Sequence, residues 1–266
     1  MDCDYCCVTR FHGFKHRLRP IGDVIRDIKA TGSRFIGFAD DNVIGHKGHA
    51  RELFKAIQPL DVRWMGQTTM YMADDEDLLN TAVKSGMRLA WIGIESIRPS
   101  NLEEVHRKIN QVDEFERRIK AFRDRGVLVA TNLMFGFDDE TEEHYEETFN
   151  FLTRNRVFPF LWMLTPAPGT ALFERFDKEG RLLHKDWSRY NAYEMVFKPK
   201  NFSPEKVDDM FWELGRRLFS FKENFRRSFS LMRMNNLKED FFIRSGEFMI
   251  GTAVGRAARE RWPTTW

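Results

Sequence analysis

Beyond its seventh residue the chain has no cysteine. All three lie within Met1-Asp2-Cys3-Asp4-Tyr5-Cys6-Cys7, and the rest of the 266 residues hold none. Three clustered cysteines cannot staple a chain of this size, so a disulfide framework is excluded. Long apolar runs are also missing. The longest, around Val157 to Leu164, is interrupted by Pro159 and falls far short of the roughly 20 residues a membrane helix needs; no signal-peptide pattern is present. Charge of one sign is not in excess, since 42 basic residues face 40 acidic ones for a net charge of +2. That balance suggests no nucleic-acid partner. The expected setting is a reducing cytoplasm, with no membrane span.

What is there reads as a globular α/β protein. The hydrophobic fraction of 42% and charged fraction of 31% argue against disorder. The 25 Phe and 7 Trp imply a bulky aromatic core, or a surface that packs against something outside the chain. From Pro20 onward helical and strand patterns alternate. Helices are expected at Ile21–Lys29, Ala50–Ile57, Asp75–Ser85, Val112–Arg123 and Thr141–Thr153, and strands at Arg34–Phe38, Val62–Gly66, Leu89–Ile94, Val127–Phe135 and Phe158–Leu164. Such alternation calls for parallel strands joined by right-handed crossovers, in a sheet covered on both faces. Gly32, Gly86 and Gly126 fall where left-handed helix C-caps are wanted. After Pro166-Ala167-Pro168-Gly169-Thr170 the pattern changes: a helix at Ala171–Arg181, an irregular segment with a strand-like Glu194–Phe197, then a helical Phe- and Arg-rich stretch from the Ser203 N-cap to about Lys238. The last stretch, Gly246 to Trp266, reads as a docking helix or a frayed tail. A boundary near residue 200 divides a core (1–200) from a helical extension (201–266).

Cys3 and Cys6 form a Cys-x-x-Cys pair, two soft thiolates that one short loop can aim at one metal. In parallel α/β architectures ligands gather at the carboxyl ends of strands. Those ends read Ala39-Asp40-Asp41-Asn42, Glu95-Ser96, Gly136-Phe137-Asp138-Asp139-Glu140-Thr141 and Thr165-Pro166-Ala167-Pro168-Gly169-Thr170.

Together with the cysteines, these stretches resemble the radical S-adenosylmethionine (radical SAM) enzymes over roughly residues 1 to 200, in the style of the cobalamin-associated branch. Cys3 and Cys6 match the second and third members of that family's Cys-x-x-x-Cys-x-x-Cys signature. The resemblance implies a partial (β/α)6 TIM-like barrel lacking its first strand, followed by the helical extension. It also implies a [4Fe–4S] cluster held by thiolates, with one iron left open for S-adenosylmethionine, reductive cleavage of that cofactor, and radical modification or methylation of an unknown small-molecule substrate. An electron donor such as a flavodoxin or ferredoxin goes with that chemistry, and cobalamin would bind through a domain that this chain does not contain. By position, Asp40 and Asp41 would meet the methionine end of the cofactor, Glu95 and Ser96 its ribose, and Met134 to Gly136 its adenine, with Gly136 letting the backbone approach a planar ring. No catalytic side chain is assigned beyond these.

The signature places its first cysteine two positions ahead of Met1, so the expectation is that Met1 is an internal methionine of a longer protein. Cys7, adjacent to Cys6, points elsewhere on a tight loop. Rival readings remain. Cys3 and Cys6 with His12 and His16 make a Cys2His2 zinc set, and the chain would otherwise be a catalytically inactive α/β remnant. Asp40-Asp41-Asn42 also reads as a helix cap, Glu95-Ser96 as a turn, and Asp138 to Glu143 as an acidic helix start complementing the helix dipole.

Overall fold

The computed structural model describes residues 3–13, 15–107, 110–229 and 237–260. In chain order it runs α1 (Cys7–His12), α2 (Ile21–Thr31), β1 (Phe35–Phe38), α3 (Lys47–Ile57), β2 (Arg63–Thr68), α4 (Glu76–Lys84), β3 (Met87–Glu95) and α5 (Pro99–Glu104). It continues through α6 (Phe115–Asp124), β4 (Leu128–Phe135), α7 (Glu142–Asn155), β5 (Phe158–Met163), α8 (Ala171–Lys178), α9 (Pro204–Leu218), α10 (Phe221–Phe229) and α11 (Leu237–Arg259). The strands form one five-stranded sheet in the order β1-β2-β3-β4-β5, which does not close. Sequential neighbours in a sheet with helical crossovers are what an α/β barrel segment requires. β1 pairs in parallel with β2 (Phe35 opposite Arg63), and β2 in parallel with β3 (Thr68 opposite Ile92).

The five expected strands all form. α1 and α5 were not anticipated, and Glu194–Phe197 makes only a single bridge, Leu182 with Phe197, in place of a strand. The helical reading of residues 230–236 lies outside the described residues. The sheet is not covered on both faces: Phe35 is 53% and Met65 43% exposed, and Leu89, Trp91 and Gly93 are only half-buried. Alternation along β2 and β3 thus separates a packed face from a half-open one.

Two compact units divide the chain. One comprises His12–Glu95 and Ile109–Asn132. Its core centres on Trp64, stacked on Phe54 with ring centroids 5.1 Å apart and edge-on to Phe38 at 5.4 Å. The Trp64 indole N–H donates to Ser85 Oγ at 2.9 Å, so the one polar atom of that ring is satisfied in the core. Gly86 allows the close turn into β3: its φ is +101°, and a Cβ there would lie 1.9 Å from the Val62 carbonyl oxygen.

The other unit comprises Met1–Phe11, Ser96–Lys108 and Leu133–Trp266. Its core is where the phenylalanines go. Phe135 meets Tyr145 at 5.0 Å and Phe211 at 5.9 Å, while Phe176 meets Phe197 at 4.6 Å beneath the Arg181 guanidinium. The stretch from Phe211 to Arg227 packs as a helix face, with Phe211, Trp212, Leu214, Leu218 and Phe219 buried.

Candidate cofactor site

The cysteine loop is a turn pinned from several sides of its own unit. The Cys6 N–H donates to the Cys3 carbonyl at 3.0 Å, closing the turn and putting both thiols on one short loop. The Asp4 N–H donates to Val105 O and the Asp4 carbonyl accepts from Leu172 N–H at 3.0 Å, while the Asp4 carboxylate lies 2.9 Å from His106 Nδ1. Cys3 is buried, Cys6 half-buried and Cys7 exposed at the start of α1. Arg107 Nη1 lies 3.2 Å from Cys3 Sγ, a cation aimed at a sulfur, which sequence pattern did not reveal.

This loop fits two corners of an iron–sulfur cluster: two thiols on one pinned turn, one of them beside a guanidinium. Cys7, on the outward side, adds no third ligand to it. Among the described residues no three His, Cys, Asp or Glu side chains are gathered as a metal cage.

At the end of β1, Asp40 and Asp41 are exposed. They do not cap a helix: α3 begins later, and its N-cap is His46, whose Nδ1 accepts from His49 N–H at 3.1 Å. Asn42 Oδ1 instead accepts from Ile44 N–H at 3.2 Å, a local turn that leaves both carboxylates facing solvent. At the end of β3, Glu95 is buried and has φ +69°, the left-handed region that a non-glycine residue enters at a cost of about 1 kcal/mol. Such strain at a strand end is a mark of functional sites. The residues before it are held by Asn110, whose amide donates to the Gly93 and Ile94 carbonyls at 3.1 and 2.7 Å.

Ser96 is buried, and its Oγ accepts from Arg98 N–H at 3.1 Å and from Asn101 Nδ2 at 3.0 Å. The hydroxyl therefore shapes the turn into α5. Met134 is buried at the end of β4. Gly136 adopts φ +102°, and a Cβ there would meet Met195 at 3.1 Å; these two facts are the structural need for glycine, beside any approach to a ring. Its N–H donates to Glu140 Oε2 at 2.9 Å, and the Tyr145 hydroxyl donates to the same oxygen at 2.9 Å.

The acidic run divides at Thr141: Glu142 and Glu143 lie in the first turn of α7, where they complement the helix dipole, while Asp138 to Glu140 precede the helix. α7 begins at Glu142 with Thr141 as its cap. Asp138 is paired with Arg181, Nη1 to Oδ2 at 2.9 Å, and with Lys200 at 2.8 Å. Burial raises the Asp138 pKa, but the Arg181 and Lys200 pairings outweigh it and hold the carboxyl below the usual range. Glu140 has no exposed side-chain area, and burial pushes its pKa up to about 8 against the Gly136 and Tyr145 hydrogen bonds. His144, also buried, is pushed down to about 4 by burial and by the Arg98 charge. A carboxylate four residues before a histidine was the available signal, hidden by the run of acids around it.

A sheet of this strand order, with helical crossovers between its strands, defines a partial α/β barrel. The radical SAM superfamily model matches residues 1–152, and the chain belongs to that superfamily; a domain of unknown function (DUF4070) matches residues 170–250. The chain is 30% identical over 226 residues to the bacteriochlorophyllide d C-12(1)-methyltransferase of Chlorobaculum tepidum, covering 82% of this chain and 49% of that protein. It is 24% identical to the anaerobic magnesium-protoporphyrin IX monomethyl ester cyclase of Rubrivivax gelatinosus, over 83% of this chain and 40% of that one. The chain thus spans about half the length of the curated relatives it matches. Among solved structures, the radical S-adenosylmethionine methyltransferase TsrM from Kitasatospora setae, with cobalamin and a [4Fe–4S] cluster bound, superposes with a TM-score of 0.68 at 15% identity, over 97% of this chain and 59% of that one. That likeness establishes the fold.

Proposed function

We propose that this chain is the radical domain of an enzyme that reductively cleaves S-adenosylmethionine to methylate, or otherwise radically modify, a small molecule. The observation that carries the reading is the buried Cys3 thiol on a pinned turn beside Arg107, inside a chain of the radical SAM superfamily. When bound, a [4Fe–4S] cluster with one open iron supplies the electron that breaks the sulfonium bond. The chain's own residues do the holding. Cys3 and Cys6 provide two thiolates, and Arg107 offsets their charge. On this reading Asp40 and Asp41 would offer exposed carboxylates to the methionine end of the cofactor, Glu95 and Ser96 would meet its ribose hydroxyls, and Met134 to Gly136 would receive its adenine. Methylation is favoured over other outcomes because relatives include named methyltransferases, and cobalamin is the methyl carrier such a reaction would draw on, bound outside these residues. A flavodoxin- or ferredoxin-like donor would supply the electron, in a reducing cytoplasm. Among the described residues no helix is long and apolar enough to cross a membrane.

Anaerobic reconstitution tests this. The chain as it stands is compared with a version carrying Cys-Gly directly ahead of Met1, which restores the three-thiolate spacing. About four irons per chain in the extended version, with 5′-deoxyadenosine formed on reduction with dithionite, is the expected result. Tightly bound zinc without iron in both versions would end the reading.

A further inference from the structure

One buried polar chain ties together two strand-end turns that the sequence keeps far apart. All its members belong to one compact unit. At one end, Ser96 Oγ lies 3.4 Å from His144 Nε2. The other ring nitrogen, Nδ1, faces Glu140 Oε1 across 3.9 Å. Neither of those two atoms has a hydrogen-bond partner, and each is fully shielded from solvent. The second carboxyl oxygen, Oε2, takes the Gly136 N–H and the Tyr145 hydroxyl at 2.9 Å each. Buried polar atoms left unpaired are costly. Here two of them face each other, Glu140 just ahead of α7 and His144 in its first turn, with a slack of about one ångström beyond a hydrogen bond.

We propose that Glu140 and His144 form a positioning pair, joined through one shared proton between Oε1 and Nδ1, that locks the Ser96 turn and the Gly136 turn in one fixed geometry. Neither residue touches cofactor or substrate. The pair acts through Ser96 and Gly136, which carry the ribose and adenine positions, and in that respect it rests on the S-adenosylmethionine reading above. A supporting shell of buried hydrogen bonds is how a binding loop is held within the fraction of an ångström that recognition demands. The arrangement also explains two otherwise unrelated features. Gly136 cannot donate its N–H to a ligand, because Glu140 takes it; and Glu140, lying outside helix α7, gains nothing from the helix dipole yet is sealed from water. The ionisable groups around the pair are Tyr145 on α7, Glu104 at the end of α5 and Arg98 just ahead of α5. Glu104 is itself held up by burial, so no strong cation is set against Glu140 to draw its proton away.

The experiment uses the full chain, selectively labelled with nitrogen-15 in its histidine rings, alongside Glu140→Gln, Glu140→Ala and His144→Phe. In the parent chain the His144 ring stays neutral at pH 5.5, and its resonances shift once more with a midpoint near the pKa of about 8 held by Glu140. That second transition disappears in Glu140→Gln. A His144 that titrates as an ordinary histidine, or a second transition that survives Glu140→Gln, overturns the shared-proton pair whether or not the chain binds S-adenosylmethionine. The second arm measures S-adenosylmethionine affinity by equilibrium dialysis on reconstituted protein that carries the Cys-Gly extension and whose circular dichroism matches the equally extended parent. Glu140→Gln, a neutral isostere, keeps the dissociation constant within about threefold, whereas Glu140→Ala and His144→Phe raise it at least tenfold. If Glu140→Ala does not fold, His144→Phe, which leaves the Glu140 to Gly136 bond intact, decides alone. A tenfold loss in folded Glu140→Gln would mean that the carboxyl meets the ligand directly, and unchanged affinity in His144→Phe would reduce the pair to ordinary core packing. Either result overturns the positioning role. A Cys-Gly-extended chain that binds no S-adenosylmethionine refutes the functional reading instead, and the ring titration still decides the pair.

Discussion

Replacing Glu140 by Gln should flatten the pH dependence of stability between pH 6.5 and 8. Burial raises the Glu140 carboxyl from an unfolded value of 4.5 to about 8 in the folded chain. Between those values the folded state holds a proton that the unfolded state has released. Stability therefore falls as pH rises through the window, by about 1.4 kcal/mol per pH unit. His144 works with the opposite sign: its folded pKa lies at about 4 and its unfolded one at 6.5, so between them the unfolded state holds the extra proton and stability rises with pH. From pH 4.5 to 6.5 the two slopes cancel. Above 6.5 only the Glu140 slope remains, and it removes about 2 kcal/mol by pH 8. Urea titrations at pH 5.5, 6.5, 7.25 and 8 measure this directly. From pH 6.5 to 8 the parent chain should lose about 2 kcal/mol while Glu140→Gln stays level, and from pH 5.5 to 6.5 the parent should stay nearly level while Glu140→Gln gains about 1.4 kcal/mol, His144 being buried and neutral in both. Parallel curves throughout would refute the assignment, because they would mean that Glu140 is ionised in the folded chain.

Other outcomes follow from the packing. Trp64→Ala removes a ring stacked on Phe54 and the partner of Ser85, and should cost about 3–5 kcal/mol in urea unfolding; a loss below about 1 kcal/mol would show that the ring is not a core element. Gly136→Ala should destabilise by about 1–3 kcal/mol because φ is +102°. Adding Met195→Ala should not restore that loss, since the contact is relieved but the backbone strain stays. Arg181→Met leaves Asp138 buried with only Lys200 as a strong partner and should cost about 3 kcal/mol near neutral pH. That deficit should shrink as pH falls below 4, where Asp138 protonates in the variant, and a pH-independent deficit would count against the ion pair.

Much of the fold could be read from the chain. Strands such as Leu89-Ala90-Trp91-Ile92-Gly93-Ile94 and helices such as Ile21–Thr31 announce themselves through period and glycine stops, and all five strands lie where those signals place them. What periodicity could not reveal are short elements with little pattern of their own. α1 and α5 have six residues each, too few for a period to emerge, and the Glu194–Phe197 run met no neighbouring strand able to complete a ladder. Burial of the sheet was misjudged for a related reason. Apolar strands were taken to be covered on both faces, but Phe35 and Met65 remain exposed, because apolar composition alone does not say which face has a partner.

The sequence by itself determined the superfamily to which the chain belongs. Cysteine spacing and the residues at strand ends are local, and local patterns survive without a fold. Only tertiary structure decided which of those residues are held, and by what. Arg107 reaches Cys3 from more than a hundred positions away, and Asp40 and Asp41 turn out to face solvent while α3 takes His46 as its cap. Glu140, which in sequence is one acid among the five between Asp138 and Glu143, becomes a sealed carboxyl joined to Gly136 and facing His144. The physical reason is that desolvation depends on what surrounds a group in space. Five neighbouring acids look alike along the chain, and burial makes one of them unlike the rest.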